Sequence, residues 1–239
     1  MAFQVGGAGS GASGIVRFEA PLPITATGVY SAIWRVKFSG TPSADGALSF
    51  IGRDSNDTDS VQVDGLDATK LYLRSGNGTA NADVLTASGV LPVGVWVEIA
   101  QVRESDTSLK LYVDGVLVAT NTQDIGSRNT ATIACFGGFS TGSVMTGTPS
   151  IADIIMWDSI ALTAGEVALE VGPDPVKAGA TAYFPYRQTS ARDANGHSVD
   201  QIGSFTPLAA GPEVYTSDLG LPTNPSGSGQ LSMSLSIGF

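Results

Sequence analysis

The run LKLYVDGVLVAT, Leu109 to Thr120, sets two apolar-rich segments on either side of Asp114-Gly115. A two-residue hairpin turn demands positive φ at its central positions, and Asp-Gly meets that demand. The chain therefore doubles back here, with Val113 opposite Val116 and Leu111 opposite Val118. The preceding turn, ESDT, predicts Arg103 opposite Ser108, so that Val102 faces Leu109 and Ala100 faces Leu111. One face of this three-strand meander then carries Trp96, Ala100, Val102, Leu109, Leu111, Val113, Val116 and Val118. The other carries Gln101, Arg103 and Lys110 with Tyr112 and Leu117. Glu98 is the exception on the apolar face.

The same grammar recurs along the chain. AIWRVKF alternates Trp34, Val36 and Phe38 against Arg35 and Lys37, which predicts a half-buried strand with a solvated face. GIVRFEA, ALSFIG, SVQV, KLYLRSG, TIACFGG and IADIIMW are further strand-like runs, separated by Gly, Asn, Asp or Ser. Many short strands punctuated this way predict a sandwich or barrel. A single helix is predicted: in LTAGEVALEVGPDP, Thr163 and Glu166 have capping-box spacing and Pro173 ends the run.

Composition narrows the function. The 239 residues include 30 Gly and 12 Pro, only 14% are charged, and the net charge is −10. An acidic chain repels phosphate backbones, which argues against nucleic acid as a partner. The single Cys135 cannot form an internal disulfide, and its strand-like setting predicts a buried, inert thiol. The first residues, MAFQVGGAGSGASG, lack the pattern of a secretory signal, and no run is apolar enough to insert in a membrane. The expected origin is thus a cytoplasm. Three zones are expected: a flexible arm over 1–14, a sandwich over 15–222, and a linker with a strand-like arm over 223–239.

GVWVEIAQVRESDTSLKLYVDGVLVAT resembles the central meander of laminin G-like, concanavalin A-like lectin/glucanase domains, through Trp96, Ala100, Leu109, Leu111, Tyr112, Val113, Asp114 and Gly115. ACFGGFS is similar to that family's Gly-Gly strand. GTPSIADIIMWDSIALTAGEVALE is similar to its closing unit, with Asp153, Trp157, Leu162, Thr163 and Glu166 in place. The likeness covers roughly residues 15–170. It implies an all-β, jelly-roll β-sandwich of two antiparallel sheets with one short helix. It also implies binding of glycans or proteins, often with calcium at a loop rim, while some members are glycosidases.

Catalytic patterns are missing. Glycoside hydrolysis needs two carboxylates flanking the scissile bond, and the family's enzymes set theirs on one strand as E-x-D-x-E. Here Glu98 stands alone on its strand, and Glu166 reads as a helix cap. His197, the single histidine, lies in a turn-like stretch with no nucleophile motif nearby. The chain is therefore expected not to be an enzyme. Two polar loops could ligate calcium: Asp54, Asn56, Asp57 and Asp59 in GRDSNDTDS, and Asp193, Asn195 and Asp200 in RDANGHSVD. Each reads equally as a solvated turn held by Asx hydrogen bonds.

The two ends complete the expectation. LSMSLSIGF places Leu231, Met233, Leu235, Ile237 and Phe239 on one face with serines on the other, and Phe3 and Val5 offer apolar residues at the opposite end. Such segments either fold back on their own sandwich or add to a neighbour's sheet edge, making a homo-oligomer. Low charge, no export signal, no catalytic pair and an arm at each end together resemble a bacteriophage virion component. The expected role is head decoration or a tail-associated protein, with other virion proteins, further copies of itself or a cell-surface glycan as partners. A stand-alone carbohydrate-binding lectin module and a polysaccharide-active glycosidase are the alternatives.

Overall fold

The computed structural model describes residues 3–4, 16–19, 22–25, 28–42, 46–54, 57–124, 131–137, 149–170, 176–185, 201–202 and 214–215. Fourteen strands occur among them: β1 (Phe3–Gln4), β2 (Val16–Glu19), β3 (Tyr30–Phe38), β4 (Ala47–Asp54), β5 (Asp57–Val63), β6 (Leu71–Gly76), β7 (Asn81–Leu85), β8 (Val97–Ser105), β9 (Ser108–Val113), β10 (Val116–Asn121), β11 (Ile133–Phe136), β12 (Pro149–Asp158), β13 (Ala182–Phe184) and β14 (Val214–Tyr215). They form two antiparallel sheets. One runs β10-β9-β8-β3-β12-β1-β14 with β13 also on β12; the other runs β2-β11-β4-β5-β6-β7. This is the jelly-roll sandwich that the meander and its relatives imply.

The core between the sheets draws Trp34, Val36, Phe38, Ile99, Leu109, Leu111 and Val113 from one side. Leu48, Ile51, Val61, Leu71, Leu73 and Phe136 come from the other. Trp34 meets Phe136 edge-on, with ring centroids 5.2 Å apart. A second apolar layer covers the outside of the first sheet. There α1 (Ala164–Leu169) lays Val167, with Leu162, over Ile33, Ala100, Val102, Tyr112, Ile155, Trp157 and Tyr183. The helix begins as its spacing predicts: the Thr163 hydroxyl accepts from the Glu166 N–H at 3.3 Å, and the Thr163 N–H donates to the Glu166 carboxylate at 2.9 Å.

The hairpin forms at Asp114-Gly115 with Val113 opposite Val116, as the letters require. Asp114 and Gly115 take φ of 49° and 75°. Two register expectations are corrected. A bulge between Arg103 and Ser105 puts Arg103 opposite Leu109 and Gln101 opposite Leu111, one residue from the expected pairing. Glu104, at the bulge, accepts from the Ser108 hydroxyl at 2.8 Å and Lys110 Nζ at 2.5 Å. A second bulge after Leu117 brings Ala119, not Val118, opposite Leu111. The slip exchanges the faces of β8: Ala100 and Val102 lie under the helix, while Gln101 and Arg103 point into the sandwich. Arg35, expected in solvent, is also buried, at 1% exposure.

Gln101 and Arg103 find partners on the opposite sheet. Arg103 Nε donates to Asp59 Oδ2 at 2.7 Å, and its Nη2 reaches Asp59 Oδ1 and Ser75 Oγ, the latter at 2.6 Å. Tyr30 donates to Asp59 Oδ2 at 2.8 Å and accepts from Gln101 Nε2 at 2.7 Å. Ser49 Oγ completes the chain on Gln101 Oε1 at 2.7 Å. Asp59 is thus a fully buried counter-ion and not a rim ligand for calcium, and its neighbour Asp57 is 1% exposed. At one side of the sandwich, Asn121 Nδ2 donates to the carbonyls of Ala82 at 2.8 Å and Leu73 at 3.4 Å, joining β10 to β7 and β6. Phe3, in the arm expected either to fold back or to join a neighbour, takes the first course: it lies in β1 opposite Ile151 and Tyr215 of the same chain. Unpaired strand ends seek a ladder, and β12 supplies one.

Two outcomes follow. Asp59→Ala should cost about 3–5 kcal/mol, because it strands a buried guanidinium. In urea denaturation the loss should be equal with calcium or with a chelator; a loss seen with calcium alone would restore the rim reading. Gly115→Ala should cost about 1–2 kcal/mol by the same assay, since the position needs positive φ and an added Cβ would lie 3.1 Å from Ala168 Cα.

Candidate functional site

The outer face of the six-stranded sheet is built by simple alternation. Val61, Val63, Leu71, Leu73 and Ala82 point to the core, so Ser60, Gln62, Tyr72, Arg74, Asp83 and Leu85 point away from it. Register aligns them in two rows, Ser60–Arg74–Asp83 and Gln62–Tyr72–Leu85. Arg74 holds Asp83 through two parallel bonds, Nε to Oδ1 at 2.8 Å and Nη2 to Oδ2 at 2.9 Å. Its guanidinium lies 5.5 Å from the Tyr72 ring centroid. The Tyr72 hydroxyl donates to Gln62 Oε1, and Gln62 Nε2 donates to Ser60 Oγ at 2.7 Å. The side chains of Arg74 and Asp83 keep 26% and 42% exposure, and Leu85 is exposed beside them. Ser60 and Gln62 are themselves buried, so the accessible part of the two rows is Arg74, Asp83 and Leu85 with the half-buried Tyr72, which offers oriented donors, acceptors and apolar surface at one place. Alternation in KLYLRSG made the outward positions of Tyr72 and Arg74 readable. The pairing of Arg74 with Asp83 was not, because it depends on the β6–β7 register.

A second constellation lies under α1 on the other sheet. Arg35 Nη1 donates to Asp153 Oδ2 at 2.8 Å; its Nη2 donates to Glu98 Oε2 at 2.5 Å and to the Glu170 carbonyl at 2.9 Å. One guanidinium thus joins β3, β8, β12 and the end of the helix. Asp153 reaches this position from a bulge in β12, at φ 51°. Desolvation pushes the Glu98 carboxyl up to about 7, against the charge and hydrogen bond of Arg35. Burial also raises Glu170, against backbone hydrogen bonds from Val176 and Lys177. The hairpin tip closes over this cluster: Asp114 Oδ1 accepts from the Glu98 N–H at 2.8 Å. The side chains of Glu98 and Asp153 are 2% and 0% exposed, so a polysaccharide does not reach either carboxylate.

The three expected rim residues that are described, Asp54, Asp57 and Asp59, have separate surroundings. Asp57 stands 3.6 Å from Arg53 Nη2, and Asp59 is committed to Arg103. Asp54 ends β4 opposite Asp57, while Asn56, Asp193, Asn195 and Asp200 lie outside the described residues. Among the described residues no group of three or more acidic, His or Cys side chains could hold a metal ion. A tighter loop lies elsewhere. Asp67 takes hydrogen bonds from the Thr69 hydroxyl at 2.6 Å, the Thr69 N–H at 3.0 Å and Ser88 Oγ at 2.9 Å, which hold its carboxyl at about 2. These bonds tie the β5–β6 loop to the loop after β7. Cys135 is buried in β11, as its setting predicts. His197, Val5, Leu231, Met233, Leu235, Ile237 and Phe239 lie outside the described residues. No helix among the described residues is long and apolar enough to cross a membrane.

Comparison with known proteins now has a fold to meet. A family model described as the concanavalin A-like lectin/glucanases superfamily matches residues 10–168. No curated protein matches. A native heptameric SAP-like pentraxin from Limulus polyphemus is similar in structure, with 17% identity over 73% of this chain and 82% of its own, at a TM-score of 0.50. A mutant of the NanB sialidase from Streptococcus pneumoniae has 16% identity over 70% of this chain and 28% of its own, at 0.52. The binding domain of botulinum neurotoxin DC, in complex with rat synaptotagmin II, has 13% identity over 70% and 41%, also at 0.52. This chain thus spans less than half of the sialidase and neurotoxin chains, and identities this low speak for the fold alone. The family match covers more than half of the sequence and ends within α1, and it includes the meander, the helix cap and both sheets: the chain belongs to the concanavalin A-like lectin/glucanase superfamily.

Proposed function

We propose that this chain is a non-enzymatic binding module for a glycan, bound on the outer face of the six-stranded sheet over Tyr72, Arg74 and Asp83. We further infer that it is displayed on a bacteriophage virion as a head decoration or tail-associated protein. The observation that carries the glycan reading is the exposed strip itself. A sugar presents hydroxyls that donate and accept as well as apolar ring faces; the strip supplies a guanidinium fork, a carboxylate, a half-buried aromatic ring and Leu85 within adjacent rows.

The non-enzymatic reading is supported by the burial of Glu98 and Asp153. A glycosidase needs carboxylates about 5–9 Å apart that touch the sugar, and these two touch Arg35 beneath the helix instead. The virion reading is supported by the low charged fraction of 14% and by the alternating apolar pattern of residues 231–239, which suits addition to a neighbouring sheet edge. Phe3 is paired inside its own sheet, and we assign exchange to residues 231–239. Assembly is named for the pentraxin and capture of a partner for the neurotoxin domain, and we extend both to this chain.

A glycan array probed with the wild type, Arg74→Ala and Tyr72→Ala tests the site. Binding should fall at least about tenfold in each variant, while Arg74→Ala, which removes a partly exposed ion pair, should lower stability by no more than about 1 kcal/mol. Binding retained in both variants would move the ligand to another surface, and no binding by the wild type, with or without chelator, would leave a purely structural role. Solution mass before and after removal of residues 223–239 tests exchange; a monomer in both states would rule it out.

A further inference from the structure

The Arg35 cluster has a property that the glycan reading does not use. Glu98 is buried with one oxygen on Arg35, and its other oxygen, Oε1, has no hydrogen-bond partner. The same Arg35 Nη2 that holds Glu98 also holds the Glu170 carbonyl at the end of α1. The charges facing Glu98 are Arg35 on β3, Asp114 at the hairpin tip and Glu170 at the helix end, with Asp153 on β12 sharing the guanidinium. Arg35 is the sole cation in that set; the other three are acidic. Loss of a proton from Glu98 therefore adds a negative charge among carboxylates, on a side chain only 2% exposed. The helix end shares the Arg35 guanidinium with Glu98 through the Glu170 carbonyl, and a cavity of about 220 Å³ lined by Glu166, Leu169, Glu170, Val176 and Lys177 opens beside that helix end.

We propose that Glu98 and Arg35 form a proton-operated latch, in which ionisation of Glu98 loosens the cap made of α1 and residues 176–180 from the outer face of the sheet. Lifting the cap uncovers Tyr112, Trp157 and Tyr183, an apolar face hidden in the closed state. The direction follows from linkage. With the cap closed, Glu98 keeps its proton up to about 7; opened to water, it titrates at its ordinary value of 4.5. Closure is therefore strongest below pH 4.5, weakens as pH rises to about 7, and is level above that. The interval limits the change in the opening equilibrium to on the order of 10²-fold.

Hydrogen-exchange protection, corrected for intrinsic rates and followed from pH 4.5 to 8 on the intact chain, reads this out. Amides of Val167, Glu170, Val176 and Lys177 should lose up to about two orders of magnitude of protection across the interval, while those of β5 and β6 hold theirs. Glu98→Gln should remove the larger part of that fall, the remainder following Glu170, whose carboxyl burial also raises. A carbon-13 titration of the Glu98 carboxyl in the wild type, which needs no variant, should have the same midpoint as the loss of protection. The proposal is overturned by level protection in the wild type, by an equal fall in Glu98→Gln, by a matching fall in β5 and β6, or by a Glu98 midpoint near 4.5.

Discussion

An arginine sealed between two sheets must be answered by a carboxylate on the other sheet, and Arg103 and Asp59 satisfy that constraint. Apolar contacts alone leave two stacked sheets free to slide, because burial is nearly indifferent to small offsets. Hydrogen bonds are not. Asp59 accepts from Arg103 and Tyr30 on one sheet and from Ser75 on its own; any offset leaves buried charge exposed to an apolar wall. The pair therefore sets the alignment of the sandwich, and with it the position of every outward row, including the strip over Tyr72 and Arg74.

Much of this order was legible in particular residues. Asp114-Gly115 named the turn and the Val113–Val116 pair, and Thr163 with Glu166 named the helix start, because both are local devices whose partners lie within a few residues. What failed was long-range. Arg35, Gln101 and Arg103 alternate with apolar residues and so read as a solvated face. Alternation reports a change of environment and not which side holds water. Both faces of the larger sheet are covered, one by the second sheet and one by α1, so its polar positions had to find buried partners. The bulge at Glu104 compounded the error: one extra residue turned Ala100 and Val102 toward the helix.

The same reasoning explains why the candidate site was harder to read than the fold. The sequence drew attention to Asp54, Asp57 and Asp59 by density of acid, yet a strand carboxylate is as readily taken up by an arginine as by a metal. Asp59 went inward, and Asp57 is held in the hairpin beside Arg53. The strip of Tyr72, Arg74 and Asp83 is dispersed over twelve positions of sequence and becomes contiguous only once β6 and β7 are paired.

The side-chain amide of Asn121 has a consequence for the topology of the whole. By donating to carbonyls of both β6 and β7, it fastens the β10 edge of one sheet to the β7 edge of the other at one point. An incoming strand on this flank would compete with the Asn121 side chain for the Ala82 carbonyl, so sheet extension there is locally opposed.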